Sequence, residues 1–306
     1  MTNTAGNETG IIRVLWSLIA IYAIARVLQL FPGRIPMLVI VALHVLPPTV
    51  FALIHGAMFY RVRGILIFLA ICFVIGNVSE NLGIRTGFPF GRYYFTDLMG
   101  PKLFSVPILL GLAYLGMGYL SWTLARTILG GMRSPLAGFR VVTVPVVAGF
   151  IMVAWDFSMD PIWSTIEHAW IWMDGGAYFG VPASNFLGWY LTVYLMCQLF
   201  ALHLRASATT PVRNAATLSP VFWYLPVIFY GISAAGNILL AIPTASPWVV
   251  ADPTGALWRV RDITHTCALV SFFLMGGFAL FALARIPRQN ADAHSPVYQE
   301  KRSRAK

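Results

Sequence analysis

The chain has 306 residues, of which 58% are hydrophobic and only 10% carry a charge. Soluble domains carry roughly 25% charged residues, so this composition excludes an ordinary soluble domain and predicts an integral membrane protein. The formal net charge of +10 would suit a nucleic-acid partner. Because the arginines fall in short loops and near the C-terminus, as membrane orientation requires, no nucleic-acid binding is expected.

Apolar runs long enough to cross a bilayer, about 20 residues each, recur along the chain. Since backbone polar groups cannot stay unpaired in hydrocarbon, each run predicts a helix. The sequence therefore predicts an all-α fold, a polytopic transmembrane helical bundle of about eight spans, with seven as the alternative count. The predicted spans are 12–31, 36–59, 64–82, 105–129, 141–158, 185–204, 219–242 and 263–285.

The polar ends of the chain are expected to be disordered. These ends are residues 1–10 and the basic tail 286–306. No tandem repeat or linker is evident between them, so residues 11–285 are expected to form a single transmembrane domain.

Several polar or helix-breaking residues lie inside the predicted spans. Pro47 and Pro48 are expected to kink or break the second span. His44 and His55 share a helical stripe but lack carboxylate or Cys partners at ligand spacing, so polar packing is favoured over metal binding. Asn237 is expected to make a buried polar contact between helices.

Eight spans would place both termini on one side of the membrane, with fourteen Arg and Lys residues on that side and six on the other. This asymmetry predicts that both termini lie in the cytoplasm. The connections 83–104, 159–184 and 243–262 would then all emerge on the opposite face. We therefore expect irregular, motif-bearing loops on that face.

The segment 156–189 is acidic, aromatic and free of Lys and Arg. Asp156 and Asp160 stand four residues apart, which places both carboxyls on one face if the helix continues. Two like charges held close together favour one protonated and one ionised carboxyl, a pair suited to general acid and base chemistry. The alternative is that Asp160 and Pro161 end the helix and face water.

Glu80 lies at the end of the third span, where an ionisable group is a functional candidate. It could equally pair with Arg85 or Arg92 in the next loop. Aromatic residues are dense around these acids. Many would belong to interfacial belts, but a ring face also stabilises a cation by roughly 0.5–2 kcal/mol. The aromatic residues in question are Phe88, Phe90, Tyr93, Tyr94, Trp163, Trp170, Trp172, Tyr178, Phe179 and Trp189.

Two ordered motifs resemble the signatures of the CruF-like carotenoid hydratases. In the first, residues 80–83 read ENLG and residues 86–94 read TGFPFGRYY. In the second, residues 156–161 read DFSMDP, followed by WIW at 170–172, YFGVP at 178–182 and NFLGW at 185–189. The resemblance covers about 80–107 and 156–189, and the last third of the chain carries no such signature.

The resemblance implies an integral membrane enzyme of carotenoid biosynthesis, a hydro-lyase that adds water to the terminal 1,2 double bond of an acyclic carotenoid ψ-end. It implies a hydrophobic carotenoid substrate, contact with the lipids of a bacterial or archaeal cell membrane, and no cofactor. The sequence also contains no Cys/His cluster at metal-ligand spacing, so no metal is expected. Other enzymes of the carotenoid pathway are conceivable partners. No phosphate-binding loop, dinucleotide fingerprint or nucleophile elbow occurs in the chain, so nucleotide-driven chemistry is not expected.

Hydration of a trisubstituted alkene needs an acid, shelter for a tertiary cation and a base for the incoming water. We assign the acid to Asp156 or Asp160 and the positioning or deprotonation of water to Glu80. The cation would be screened by Tyr93, Trp170 and Trp172. The other residues expected to bind substrate are Phe90, Tyr94, Tyr178, Asn185 and Trp189.

Two other functions remain open on the sequence. A carotenoid end-group cyclase would begin with the same protonation but exclude water. A polyprenoid or lipid transporter would move its substrate unchanged and show paired helix breaks at the midplane. Pro47 and Pro48 offer one such break, without an obvious counterpart in the other half of the chain.

Overall fold

The computed structural model describes residues 2–31, 33–132, 134–207, 218–242 and 248–293. In those ranges, seven helices are long and apolar enough to cross a membrane. The predicted all-α polytopic bundle is thereby confirmed. The helices are α1 Thr2–Leu28, α2 Met37–Thr86, α3 Ile108–Ile128, α4 Arg140–Pro161, α5 Ala183–Ala206, α6 Pro220–Leu240, α7 Val260–Val270 and α8 Gly276–Ala293.

Short elements complete the chain at the helix ends. Two π-helical turns extend the helices: Ile162–Ile166 follows α4, and Ser271–Met275 joins α7 to α8. A 3-10 turn covers Asp97–Met99. The strands are β1 Tyr93–Phe95, β2 Lys102–Leu103, β3 Val106–Pro107, β4 Trp170–Trp172, β5 Val249–Ala251 and β6 Leu257–Arg259.

The long helix α2 is a helical hairpin that reverses at Arg61, where φ is 64° and ψ is 164°. Thr49 and Phe73 would lie about 36 Å apart along a straight helix. Yet Thr49 Oγ1 donates to the carbonyl of Leu112 at 2.9 Å, and the Phe73 ring packs on Gly111 of the same turn of α3. α7, the π-helical turn Ser271–Met275 and α8 form one continuous span, so the described residues contain seven membrane-crossing helices. Because α2 crosses twice, these seven helices provide eight crossings.

The backbone of α2 stays helical through Pro47 and Pro48, so the predicted break at these prolines is wrong. Close packing against α3 supports the helix here. A Cβ added at Gly116 would lie 3.0 Å from the backbone of Pro48 and Thr49, so the glycine allows the two backbones to approach. The Thr49 hydroxyl also donates to the carbonyl of Val45 at 2.7 Å.

The two ends of the chain are more helical than the sequence suggested. α1 begins at Thr2, within the segment 1–10 that was expected to be disordered. α8 continues to Ala293, beyond the predicted end of the last span. The rest of the predicted tail, 294–306, lies outside the described residues.

The connections after α2, α4 and α6 meet at one end of the bundle, as predicted. β1 pairs with β4 in antiparallel fashion, which joins the first connection to the second. In turn, Gly175 and Gly180 of the second connection lie against Asp252, within the β5–β6 hairpin of the third. This end of the bundle is therefore a single folded cap, which we call the loop face.

Polar residues within the spans find partners on other helices. Arg26 donates to Asn237 Oδ1, and Asn237 Nδ2 donates to Ser158 Oγ at 2.8 Å, so the predicted interhelical contact of Asn237 is confirmed. His44 bonds the Ile40 carbonyl and Gln29. His55 bonds Tyr119 and the Phe222 carbonyl. Both histidines thus serve polar packing, as the sequence favoured.

Candidate active site

Asp156 and Asp160 lie one turn apart on a buried face of α4, with exposed fractions of 0% and 1%. The side chain of Asn185, in the first turn of α5, lies between them. Its Nδ2 donates to Asp156 Oδ2 at 3.0 Å and to Asp160 Oδ2 at 2.6 Å. One amide therefore joins the two carboxyls. As expected from their spacing of four residues, both acids lie on one face of the helix.

Two indole N–H groups hold the other oxygen of Asp160. Trp170 Nε1 and Trp172 Nε1 donate to Oδ1 at 3.0 and 3.3 Å. Both tryptophans belong to β4, where alternate side chains point to the same side, so Ile171 between them faces away. Antiparallel pairing with β1 fixes β4 and places Tyr93 opposite Trp172.

Asp160 does not end a helix in contact with water. Beyond Pro161 the backbone continues as the π-helical turn Ile162–Ile166, and Ser164 Oγ donates to the carbonyl of Asp160 at 2.8 Å. Since π-helical turns are frequent at functional sites, this irregularity marks the same place as the acids. The alternative of a solvent-facing helix end is wrong.

Glu80 is held by two tyrosines and not by an arginine. Tyr114 OH donates to Glu80 Oε1 at 2.6 Å, and Tyr93 OH donates to Oε2. Tyr93, which holds Glu80, also packs against Trp172, and Trp172 donates to Asp160. The three acids that the sequence assigned to catalysis therefore share one buried region, which we call the carboxyl cluster (Glu80, Asp156 and Asp160).

The arginines that were alternative partners of Glu80 lie elsewhere. Arg85 is exposed. Arg92 Nε donates to Asp174 Oδ2 at 2.8 Å, with both side chains exposed on the loop face. This ion pair lowers the pKa of Asp174 and raises the pKa of Arg92, so both stay charged at neutral pH. The pairing of Glu80 with Arg92 is therefore excluded.

Tyr93 connects the two halves of the site. Its ring packs against Trp172 with centroids 4.8 Å apart, while its hydroxyl reaches Glu80. Burial, and next the negative field of Glu80, raise the pKa of the Tyr93 phenol well above its usual value. The phenol therefore stays protonated and remains a donor at physiological pH.

The Phe90 ring packs between the two motif segments. A Cβ added at Gly83 or at Gly188 would lie 2.7 Å from the Phe90 ring, so each helix presents a glycine to one edge of the ring. Nearby, Ser184 Oγ donates to the Phe90 carbonyl at 2.8 Å. Phe90 thus fixes the distance between α2 and α5 behind the acids.

The remaining residues predicted to bind substrate fall into two groups. Trp189 stacks on Tyr114 with centroids 4.6 Å apart, and so lines the cluster. Tyr178 lies one layer away, where its hydroxyl donates to the carbonyl of Phe157 at 3.0 Å. Tyr94 is exposed, because alternation along β1 turns it away from its neighbours Tyr93 and Phe95. The structure does not bring Tyr94 to the acids.

Tyr114 is the functional candidate that sequence reasoning missed. It lies in the second turn of the apolar helix α3, buried beside Gly76 of α2. Its hydroxyl donates to Glu80 Oε1 at 2.6 Å. A polar aromatic residue inside a span was the available signal, because a buried phenol requires a partner.

A family profile described as "Carotenoid biosynthesis protein" matches residues 35–251. The match covers more than half of the chain and includes both motif segments. This chain belongs to the carotenoid biosynthesis protein family. The membership predicted from the two motifs is thereby confirmed, and with it a role in carotenoid biosynthesis. Comparisons with curated proteins and with solved structures gave no match.

The helices and loops that form the carboxyl cluster all lie within the matched part of this carotenoid biosynthesis protein. α2 to α5 carry the acids, Tyr114 and Asn185, whereas β1 carries Tyr93 and β4 carries the two tryptophans. α1 and the segment after residue 251 lie outside the match. The family relationship therefore applies to the part of the chain that builds the site.

In this family member the acids of the carboxyl cluster accept hydrogen bonds from phenol, indole and amide groups, and form no ion pair among the described residues. The two ion pairs found among the described residues, Arg92–Asp174 and Lys102–Asp97, lie on the loop face and do not involve the cluster. Asp156 Oδ1 is buried and accepts no hydrogen bond from the described residues. Within the same ranges, no group of three or more His, Cys, Asp or Glu is arranged to hold a metal ion.

The described part of this carotenoid biosynthesis protein contains cavities that are not lined by the three acids. A wholly apolar groove of about 380 Å³ lies between α1 and the first half of α2. A smaller cavity of about 170 Å³ lies on the loop face and is lined in part by Ser164 and Trp172, which both bond Asp160. The second cavity is thus one side chain away from a carboxyl.

Proposed function

We propose that this carotenoid biosynthesis protein is a hydro-lyase that adds water to the terminal 1,2 double bond of an acyclic carotenoid ψ-end. The observation that carries the proposal is the pair Asp156 and Asp160, joined by Asn185 and enclosed by indole and phenol rings beside Glu80. A buried acid, a neighbouring base and aromatic faces are the groups that alkene hydration requires.

The hydrogen-bond donors suggest different roles for the two aspartates. Asp160 accepts three N–H groups, from Trp170, Trp172 and Asn185, which is the surrounding of an ionised carboxylate. Asp156 accepts one, from Asn185, and its Oδ1 accepts none from the described residues. Since two adjacent negative charges repel, we assign the proton of the pair to Asp156.

In the proposed first step, the O–H bond of Asp156 breaks and its proton forms a C–H bond with the less substituted alkene carbon. The π electron pair supplies this bond and leaves a tertiary cation on the other carbon. The faces of Trp172 and Tyr93, and the ionised Asp160, would stabilise that cation. The same groups already surround the aspartate pair, so little rearrangement is needed to shelter the charge.

In the second step, the oxygen of a water molecule forms a C–O bond to the cation, and Glu80 accepts one proton of that water. Tyr93 and Tyr114 hold the Glu80 carboxylate in place through its two oxygens. Return of the proton from Glu80 to Asp156 restores the starting state. The overall reaction adds one water, consumes no oxidant or reductant, and leaves a tertiary alcohol.

Expression in a lycopene-producing bacterium tests the proposal. The unaltered chain is expected to yield pigments heavier by the mass of one or two waters, with the oxygen derived from isotopically labelled water. Asp156→Asn, Asp160→Asn and Glu80→Gln should each lower the yield by about 10²–10⁴-fold, the range for loss of a general acid or base. Asp174→Asn, which alters an exposed acid of the same segment, is the matched control and should retain the yield.

The other outcomes of this experiment identify the competing functions. Ring-containing isomers of unchanged mass would identify an end-group cyclase. Unaltered pigment would favour a transporter. Full hydration by Asp156→Asn would overturn the assignment of the acid.

We further propose that the end of the bundle opposite the loop face lies in the cytoplasm. Arg61, Arg63, Arg140 and Arg205 lie at that end, where they supply the positive charge that retains a segment inside. A reporter that fluoresces only in the cytoplasm, fused after α8, should be active. A full-length fusion that is present in the membrane but does not fluoresce would reverse the orientation.

A further inference from the structure

The reactants of the proposed hydration have opposite solubility, so they need different routes to the carboxyl cluster. A polyene can arrive from the bilayer, but water is scarce in hydrocarbon. The cluster lies near the loop face: Glu80 is about 9 Å along the helix from the end of α2, and the π-helical turn beyond Asp160 is the last part of its span. An aqueous route from this face would therefore be short.

The cavity of about 170 Å³ on the loop face lies on that route. Its inner wall consists of the buried residues Ser164, Thr165 and Trp172, and its outer wall includes Asp252 of the β5–β6 hairpin. Ala251 and the exposed His168 lie at its rim. At about 30 Å³ per molecule, the volume accommodates roughly five waters, and hydroxyl, imidazole and carboxylate groups can bind them.

A single layer of side chains separates this cavity from Asp160. Trp172 lines the cavity while its Nε1 donates to Asp160 Oδ1 at 3.3 Å. Ser164 lines it while its Oγ donates to the Asp160 carbonyl at 2.8 Å. The Trp172 ring thus lies between the cavity and the Asp160 carboxyl. A rotation of this ring would connect the two.

We propose that this cavity is an aqueous vestibule that supplies the water consumed at the carboxyl cluster, with Trp172 as the partition between them. The proposal rests on the proposed hydration and adds the route and the site of the second reactant. It assigns the hairpin β5–β6 the role of the vestibule's outer wall. Trp172 acts here as a positioning residue for water as well as a donor to Asp160.

Chemical blocking of the folded protein tests this inference. Ala251→Cys places a thiol at the rim, whereas the three native cysteines are buried. Val249→Cys lies two residues earlier on the same strand and outside the cavity lining, so it is the matched control. Membranes that contain each variant are isolated and treated with a bulky, charged methanethiosulfonate. The rate of water addition to lycopene is then measured.

The modified Ala251→Cys protein is expected to lose at least about tenfold in hydration rate, reversibly on reduction, while modified Val249→Cys keeps the rate of untreated protein. Because the block follows folding, a folding defect cannot imitate it. An unchanged rate with complete modification at residue 251 would overturn the vestibule and leave the hydration proposal intact. A protein that adds no water before treatment would overturn both.

Discussion

Tyr114 of α3 donates its phenolic hydrogen to Glu80 of α2 across 2.6 Å. The bond crosses between two helices in the membrane-spanning part of the chain and holds one oxygen of the carboxyl, while Tyr93 holds the other. A carboxylate fixed at both oxygens cannot rotate away from an incoming water. The two tyrosines therefore fix the orientation of the Glu80 carboxyl group.

Removal of either phenolic hydroxyl should impair water activation. We expect Tyr114→Phe and Tyr93→Phe each to reduce the hydration rate about 10-fold or more, because a donor to a buried charged group contributes about 1.5–3 kcal/mol. The double variant should lose less than the product of the two single losses, since both act on one carboxylate. Rates measured in membranes for the four proteins test this coupling. Strictly multiplicative losses would contradict a shared role.

Asn185 should be necessary for the asymmetry of the aspartate pair. Asn185→Ala removes the N–H groups that join Asp156 to Asp160, and leaves two carboxyls adjacent without a bridge. We expect a loss of hydration of about 10²-fold with the protein still folded. Ser184→Ala, which alters the neighbouring position and a bond to the Phe90 backbone, is the control and should retain most of the rate. Product yield and the thermal midpoint of both purified variants provide the comparison.

The close approach of α2 and α3 predicts a difference between two glycines on one helix. At Gly116 an added Cβ would lie 3.0 Å from the backbone of Pro48 and Thr49, whereas at Gly118 nothing lies within 4 Å. Gly116→Ala should therefore destabilise the protein by about 1–3 kcal/mol through overpacking. Gly118→Ala should be neutral or slightly stabilising, because alanine is the better helix former. Thermal unfolding in detergent distinguishes them, and equal midpoints would contradict the packing argument.

The stability of the β5–β6 hairpin, which forms the outer wall of the proposed vestibule, should depend on pH through Asp252. Burial alone would raise the pKa of this carboxyl, but hydrogen bonds from Thr254, Trp258 and the backbone together lower it below the usual value. A lowered pKa means that the ionised form stabilises the fold at pH above the unfolded-state value near 4, and that this contribution is lost as the pH falls through the folded-state pKa.

Asp252→Asn tests this dependence. The variant should have a lower thermal midpoint than the unaltered chain at pH 7, and the gap should close as the pH falls below about 4. Midpoints measured at intervals between neutral and acid pH give the comparison. A gap that stays constant over this range would exclude the carboxylate as its cause.

Hydropathy and spacing were sufficient for the membrane fold and for the aspartate pair. Apolar runs must be helical in lipid, and residues four apart on a helix must share a face, so Asp156 and Asp160 were predictable together. Contacts between helices were harder to predict. Tyr114 was missed because nothing local shows that it faces Glu80. The exposure of Tyr94 was not predictable, because it follows from the short strand β1, which forms only by pairing with the distant β4.

The pairing of β1 with β4 also means that the site is divided between two stretches of the chain. Glu80, Tyr93 and Tyr114 precede the connection between α3 and α4, while Asp156, Asp160 and Asn185 follow it. A gene cut at that connection would encode two fragments, each with an incomplete set of catalytic groups. Pigment conversion on co-expression would then report reassembly of the bundle, so this chain is suited to a complementation assay for membrane-protein association.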